Sequence, residues 1–264
     1  KLIEHPKVRG VTLTGSDQAG SHVGSVAAKA LKKTVLELGS NDAYLVLEDA
    51  DIETAVKYSV IGRLYNNGET CVSAKRFIVA DKVYDAFVDA FVEQMKQITL
   101  GDPTDEATQL GPLSSQGQFD TVKEQVEQSI AKGAKLLCGG TAPDRTGAYY
   151  PATVLAEVTP GMPAYDDEIF GPVASVIRAK DDEDAMRLAN DSRYGLGGGI
   201  FTKDEDRALK LARDYFDTGM IRINSFGAAD PNMPFGGVKN SGYGREHGGF
   251  GMKEFVNAKA IFLP

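Results

Sequence analysis

The chain has 264 residues, enough for one large domain or two. Hydrophobic residues make up 42 % and charged ones 25 %, a balance that excludes a disordered or collagen-like chain, and no apolar run reaches the roughly 18 residues of a membrane-spanning helix. The 37 acidic against 29 basic residues leave a formal charge of −8, which repels a phosphate backbone, so nucleic acid is not an expected partner.

In chain order, residues 11–14 read as a strand, and Gly15-Ser16-Asp17 opens a helix to about residue 31. Residues 34–38 and 43–47 are expected strands. Asp51 caps a helix to about residue 65, stopped by Asn66-Asn67-Gly68. Residues 76–80 form a strand, after which Asp81 caps a helix with Tyr84, Phe87, Val88, Phe91, Val92 and Met95 on its core face. Residues 101–117 read as a loop. Phe119, Val122, Val126 and Ile130 mark a helix ended by Gly133, and residues 135–138 a strand with Cys138 as a small buried hydrophobe. Residues 139–152 form a hairpin or loop. Strands are expected at 173–179, 199–202 and 220–224, with helices at 182–190 and 205–216 between them. Such alternation predicts an α/β fold, a mostly parallel sheet with helices on both faces. Residues 231–251 hold seven glycines in twenty-one positions and read as an ordered loop over a surface, with a last strand at 255–263.

Cys71 and Cys138 have no CxxC partner, and His5, His22 and His247 lack metal-ligand spacing, so no metal site is expected. The two cysteines read as reduced thiols or as one long-range disulfide. The opening residues carry no signal-peptide pattern, which points to a cytoplasmic setting. They also lack a methionine and begin as if within a helix, so the chain is expected to be part of a longer one.

Four places carry residues suited to chemistry. Cys71 lies in a turn beyond a helix end, where a thiol is positioned as a nucleophile; the alternative is a small core residue. The preceding helix end would raise its pKa, so activation would need a base or backbone N–H donors. Glu37 ends an apolar strand, where burial would raise its pKa toward that of a general base; the alternative is an outward-facing strand residue. Gly15 and Ser16 join a strand to a helix, the setting of a phosphate site or of a plain capping turn. Glu168 beside Phe170 could hold ribose hydroxyls and a flat ring, or belong to a solvated loop.

Taken together, these segments resemble the aldehyde dehydrogenase superfamily. Leu36-Glu37-Leu38-Gly39 is similar to its glutamate signature, and Asn67-Gly68-Glu69-Thr70-Cys71 to its cysteine signature. Glu168-Ile169-Phe170-Gly171-Pro172 is similar to its cofactor loop. Residues 234–242, followed by Gly244-Arg245-Glu246, are similar to its C-terminal loop. The order agrees, with Cys71 34 residues after Glu37 and Glu168 97 residues after Cys71. Residues 45–51 and 250–255 look most like the bacterial succinate-semialdehyde dehydrogenase branch.

The resemblance implies that Cys71 attacks an aldehyde, that hydride passes from the adduct to NAD or NADP, and that Glu37 activates the water that hydrolyses the thioester. The Cys71 N–H would be one oxyanion donor. Gly15, Ser16, Leu38, Glu168 and Phe170 would contact the cofactor, and Asn224 and Phe235 would lie near the aldehyde. Residues 1–38 would be the last part of a Rossmann-like cofactor domain and 39–238 the catalytic domain. Residues 239–264 would be a tail packed on the cofactor domain that supplies an oligomerisation strand. A homo-oligomer, dimer or tetramer, is implied for the longer protein. The oxyanion asparagine and adenine-ribose lysine of the family would fall outside this chain, which alone is expected to turn over little as a dehydrogenase.

Two positions depart from the family pattern. Ser40 replaces a glycine, and Glu69 replaces a glutamine, which would set an extra carboxylate beside the thiol. An anionic semialdehyde would need a cation, with Arg63, Lys75, Arg76, Arg178 and Arg222 as candidates. A cofactor-independent thiol esterase or acyl transferase, and a non-catalytic assembly module, are the alternative readings.

Overall fold

The computed structural model describes all 264 residues. Strand β1 (Gly10–Thr14) ends in the Gly15-Ser16 turn that opens α1 (Asp17–Lys29). Ser16 caps this helix, its hydroxyl accepting the Ala19 N–H at 3.2 Å. Strand β2 (Lys33–Glu37) then pairs parallel with β1, Thr14 opposite Glu37. Gly20 lets α1 close on the strand end, since a Cβ there would lie 2.4 Å from the Leu38 side chain.

A larger sheet follows. Strand β3 (Ala43–Val46) leads to α2 (Ile52–Leu64), capped by Asp51, and β4 (Arg76–Ala80) runs straight into α3 (Asp81–Lys96). Helix α4 (Gln116–Ala131) precedes β5 (Lys135–Cys138) and β6 (Thr153–Ala156). Next come α5 (Pro163–Asp166), β7 (Val173–Ala179) and α6 (Asp182–Asn190). Strands β8 (Tyr194–Gly195) and β9 (Gly198–Phe201), helix α7 (Glu205–Asp214) and β10 (Arg222–Ile223) follow. The seven-stranded order is β10-β9-β3-β4-β7-β6-β5, and only the β5–β6 pair is antiparallel. The chain closes with β11 (Val238–Lys239), β12 (Gly242–Tyr243) and α8 (Phe250–Glu254). Strand β11 pairs with β8, and β12 pairs antiparallel with β2, Gly242 opposite Glu37.

Helices cover both faces of the larger sheet. Leu45, Ile78, Ile177 and Ile200 pack toward α4, α6 and α7. Tyr44, Phe77, Val79, Val176 and Phe201 pack toward α2 and α3, where Phe87 stacks on Phe91 at 5.3 Å. Double coverage explains why β3, β4 and β7 are near-continuous apolar runs instead of alternating ones.

Several expectations need correction. Asp81 is the first residue of α3 and not its cap, because its carboxylate is held by Arg178 of β7 at 2.6 Å. Cys138 is only half-buried, on the outermost strand, and both cysteines are free thiols. The strand expected over 220–224 contracts to Arg222–Ile223, its pairing with β9 ending there. Residues 255–263 form no strand: they pair with no strand of this chain, and Ile261, Phe262 and Leu263 are exposed. Within the expected loop 231–251, β11 and β12 are regular, β11 forming a separate two-stranded ribbon with β8 and β12 extending the small sheet at β2. Strand β6 and helix α5 have no counterpart in the sequence reading.

Candidate active site

The loop bearing Cys71 is shaped by backbone conformations few residues accept. After α2, Asn66 and Asn67 have φ of 49° and 57° and Gly68 has φ 75°, three successive left-handed residues that reverse the chain. Asparagine tolerates that region better than other side chains. The Asn67 amide also bridges to the next loop, donating to Pro112 O at 3.1 Å and accepting from Gly111 N–H at 3.0 Å. Arg63, fully buried, donates to Gly68 O and to Ser73 Oγ, each at 2.8 Å, and Ser73 donates to Thr70 O. Burial lowers the Arg63 pKa to about 9, which still leaves it charged near neutrality.

A Cβ at Gly68 would fall 2.3 Å from Gly171 O, so the cysteine loop and the 168–172 loop meet backbone to backbone. Gly68→Ala is therefore expected to cost roughly 2 kcal/mol or more, from strain and from separating the loops. Urea unfolding would read that loss, and slower or faster alkylation of Cys71 would report the displaced loop.

Cys71 is half-buried in the turn that follows. Burial is the main cause that pushes its thiol up to about 11; Asp42 and Glu168 push the same way, while Lys75 and the Val72 N–H oppose them. Glu69 is not among these neighbours. Its carboxylate turns to the 114 position, accepting the Ser114 N–H at 3.0 Å and its hydroxyl, which corrects the expectation of an extra charge beside the thiol.

Lys75, itself buried, sits behind the turn. Its ammonium has four acceptors within donating distance, Cys71 O at 2.7 Å, Ser40 Oγ at 3.1 Å, and Thr70 O and Ser73 O at 3.3 Å. Glu168 Oε1 is 3.2 Å away as an ion pair, out of hydrogen-bond alignment. Glu168 also lies against Gly39, where a Cβ would meet its Oε2 at 2.6 Å. Ser40 donates to Cys71 O, so the departure from glycine noted at this position builds a direct tie to the cysteine turn.

Glu37 ends β2 and is 2 % exposed, which removes the outward-facing alternative. Neither carboxylate oxygen has a hydrogen-bond partner, and Gly236 leaves room for it, since a Cβ there would lie 2.7 Å from Oε1. Burial first, and then the charge of Glu246, raise its pKa to about 7 against the opposing Arg245. An unpaired carboxylate poised near neutrality suits proton abstraction. Three residues of extended chain span at most about 11 Å, so Glu37 lies within that reach of Ser40, the residue bonded to the Cys71 carbonyl.

A cavity of about 230 Å³ opens beside these groups. Val72 and Phe235, the chain neighbours of Cys71 and Gly236, line it with Asp42, Tyr44 and Arg222; Cys71 and Glu37 themselves do not. Of the five candidate cations, Arg63 and Lys75 are spent on the cysteine turn, and Arg76 donates to Asn41 O, Leu188 O and Ala189 O. Arg178 pairs with Asp81 and Asp85. Arg222 alone lines the cavity and makes no ion pair, its guanidinium resting on Gly227. Asn224 does not face the cavity: its amide accepts the Thr202 N–H at 3.0 Å and donates to Thr202 O at 2.8 Å, so both of its ends are used in holding β9.

The remaining candidates flank the Glu37 end of β2. Gly15 N–H donates to Glu37 O at 3.0 Å, and Leu38 N–H to Ser241 O at 3.0 Å. The Ser16 and Asp17 N–H groups find no acceptor within the chain. Phe170 is half-buried, its carbonyl accepting from Gln118 Nε2 at 2.7 Å. Sequence reasoning missed Asp42, and it weighed Lys75 only as a charge; the available signal was polar residues at the mouths of two fully buried strands, β3 and β4.

Residues 1–261 match the aldehyde dehydrogenase family. A succinate-semialdehyde dehydrogenase (NADP+) of Deinococcus radiodurans is 47 % identical over 99 % of the chain, which covers 54 % of that protein. One from Mycobacterium ulcerans is 45 % identical over 99 % of the chain, covering 57 % of it. The crystal structure of succinic semialdehyde dehydrogenase from Streptococcus pyogenes with NADP+ superposes with a TM-score of 0.97 at 43 % identity, over all of this chain and 58 % of that one. The chain thus spans a little over half the length of these relatives.

Proposed function

The chain belongs to the aldehyde dehydrogenase family, and from that premise we propose that it is the catalytic part of a nicotinamide-dependent enzyme that oxidises a small anionic aldehyde, succinate semialdehyde foremost, to its acid. The observation that carries this reading is the tie between a thiol turn and a strand ending in an unpaired, buried carboxylate with a pKa near 7. Cys71 adds its sulfur to the aldehyde carbon, and the carbonyl oxygen takes up negative charge near the Cys71 N–H. Loss of hydride from that carbon leaves a thioester on Cys71. Glu37 then removes a proton from water, whose oxygen attacks the acyl carbon and releases the acid and the thiol.

The residues present fit a nicotinamide dinucleotide at two points. The free N–H groups of Ser16 and Asp17 start a thirteen-residue helix, suited to a pyrophosphate, with Gly15 allowing close approach. The buried Glu168 Oε1 lacks a hydrogen-bond donor, as a ribose-binding carboxylate would before its ligand arrives. Leu38 and Phe170 would border the ring. When bound, the nucleotide supplies the hydride acceptor. On this reading residues 1–38 close a cofactor-binding domain, 39–238 carry the chemistry, and 239–264 pack back on the former in a homo-oligomer.

Arg222 supports the anionic substrate class. Arg222→Met is expected to raise KM for succinate semialdehyde by about ten- to a hundredfold, the worth of a charge-assisted hydrogen bond, while butanal is oxidised as before. Steady-state kinetics with the two aldehydes on the enzyme that carries this chain test it; equal effects on both would reject the assignment. A cofactor-independent thiol esterase is the second reading, favoured because Cys71 and Glu37 both lie within the chain.

A further inference from the structure

The ammonium of Lys75 has more acceptors than it has protons. It carries three N–H bonds. Around it stand Cys71 O, Ser40 Oγ, Thr70 O and Ser73 O within 3.3 Å, and Glu168 Oε1 at 3.2 Å. Its own backbone is fixed independently, its N–H donating to Asp42 O and its carbonyl accepting from Ser175 N–H. The cysteine turn is also held without it, by Arg63 on Gly68 O, by Ser73 on Thr70 O and by Ser40 on Cys71 O. The lysine is therefore dispensable for the shape of the turn, yet it places a positive charge beside the nucleophile in a water-poor site.

We propose that Lys75 is a positioning residue whose single charge is divided between the Cys71 turn and Glu168, so that a ligand engaging Glu168 through hydroxyl groups returns that charge to the thiolate. The inference rests on the reading of Cys71 as the nucleophile and adds a regulation to it. The charged groups that bear on this cluster are Asp42 from the β3 side, Glu168 from the loop before β7 and Arg63 from α2. Asp42 accepts the Gly197 N–H at 2.9 Å and is fixed. Glu168 is the less tied competitor: Lys75 is the only side chain paired with its carboxylate, and its Oε1 has no hydrogen-bond partner. Hydroxyl donors arriving at Glu168 would satisfy its oxygens and weaken its hold on the ammonium. In a low-dielectric site, a unit charge shared this way changes the thiolate population steeply.

The test uses the chain with Cys138→Ser, so that Cys71 is the one thiol. Its ultraviolet thiolate absorbance and its alkylation rate by iodoacetamide are followed with pH. Lys75→Met is expected to raise the thiol midpoint by about one unit or more, with slower alkylation. Lys75→Arg, which keeps the charge but not the bonding geometry, restores most of the rate. Glu168→Gln moves the midpoint down, and that gain shrinks in the Lys75→Met background. An unmoved midpoint in Lys75→Met, equal losses in Lys75→Met and Lys75→Arg, or a Glu168→Gln gain that is the same with and without Lys75 would each overturn the proposal. Should Lys75→Met fail to fold by circular dichroism, Glu168→Gln decides alone, with unchanged or slower alkylation as the contrary result. Peptide mapping after an activated ester separates the two claims: acylation at Cys71 with unmoved midpoints rejects only the role of Lys75, whereas acylation elsewhere rejects the nucleophile itself.

Discussion

Cys71→Ala is expected to reduce hydrolysis of an activated ester, such as p-nitrophenyl acetate, by at least about a thousandfold, the scale on which losing a nucleophile abolishes covalent catalysis. The reason lies in what the turn supplies. Burial keeps the thiol largely protonated at neutral pH, its pKa being near 11, but the small thiolate fraction is intrinsically reactive and lies next to the cavity that Val72 lines. Cys71→Ser is expected to rescue little, because a hydroxyl ionises far less readily and meets the same desolvation. Cys138→Ser is the control. That thiol sits on β5 at the far edge of the sheet, with Ala152 O 4.0 Å away, and its loss is expected to leave the rate within about twofold, or about 0.4 kcal/mol.

Glu37→Gln should separate bond formation from release. Acylation of Cys71 proceeds without a base at Glu37, so a burst of p-nitrophenol remains, whereas the following turnover falls by about 10²–10⁴. In the unaltered protein, deacylation is expected to rise with pH through about 7, as the carboxyl loses its proton and becomes able to accept one from water. The variant has no such rise. The same substitution has a stability signature of opposite sense. The folded pKa of Glu37 stands above its unfolded value of 4.5, so folding favours the protonated form. That contribution is complete below the unfolded value and is lost as pH rises through about 7. At pH 8 the buried carboxylate costs about 3 kcal/mol at most, and a neutral amide does not carry that cost. Thermal unfolding at pH 8 should therefore show Glu37→Gln more stable than the parent, with the difference fading toward pH 4. A variant equally destabilised at both pH values would mean that the carboxylate is structural.

The parts of the fold that are readable from sequence are those decided locally. The bounds expected for β4, β7 and α6 coincide with those observed, because each is a run of one periodicity bounded by a capping or turn residue. Strand β6 escaped because Thr153–Ala156 is short and follows a long loop, so nothing but its neighbours β5 and β7 makes it a strand. The last residues failed in the other direction: their composition favours a strand, yet they pair with no strand of this chain. At the site, Cys71 and Glu37 stand out because they are chemically unusual for their surroundings. The charges that tune them do not. Asp42, Lys75 and Glu168 come from distant segments, and only folding decides that they meet the thiol while Glu69, two residues from it, turns away to Ser114. Arg222 is likewise distinguished from four other cations by what it does not bond, a property no sequence displays.

The most direct test of the account is to locate the covalent intermediate. Glu37→Gln is mixed with p-nitrophenyl acetate, quenched in acid, digested, and the acetylated peptide identified by mass spectrometry. The account predicts one acetyl group, on Cys71, that persists in this variant, decays in the unaltered protein and is missing from Cys71→Ala. An acetyl group found on Cys138, on a lysine or nowhere, with Cys71 unmodified, would contradict it.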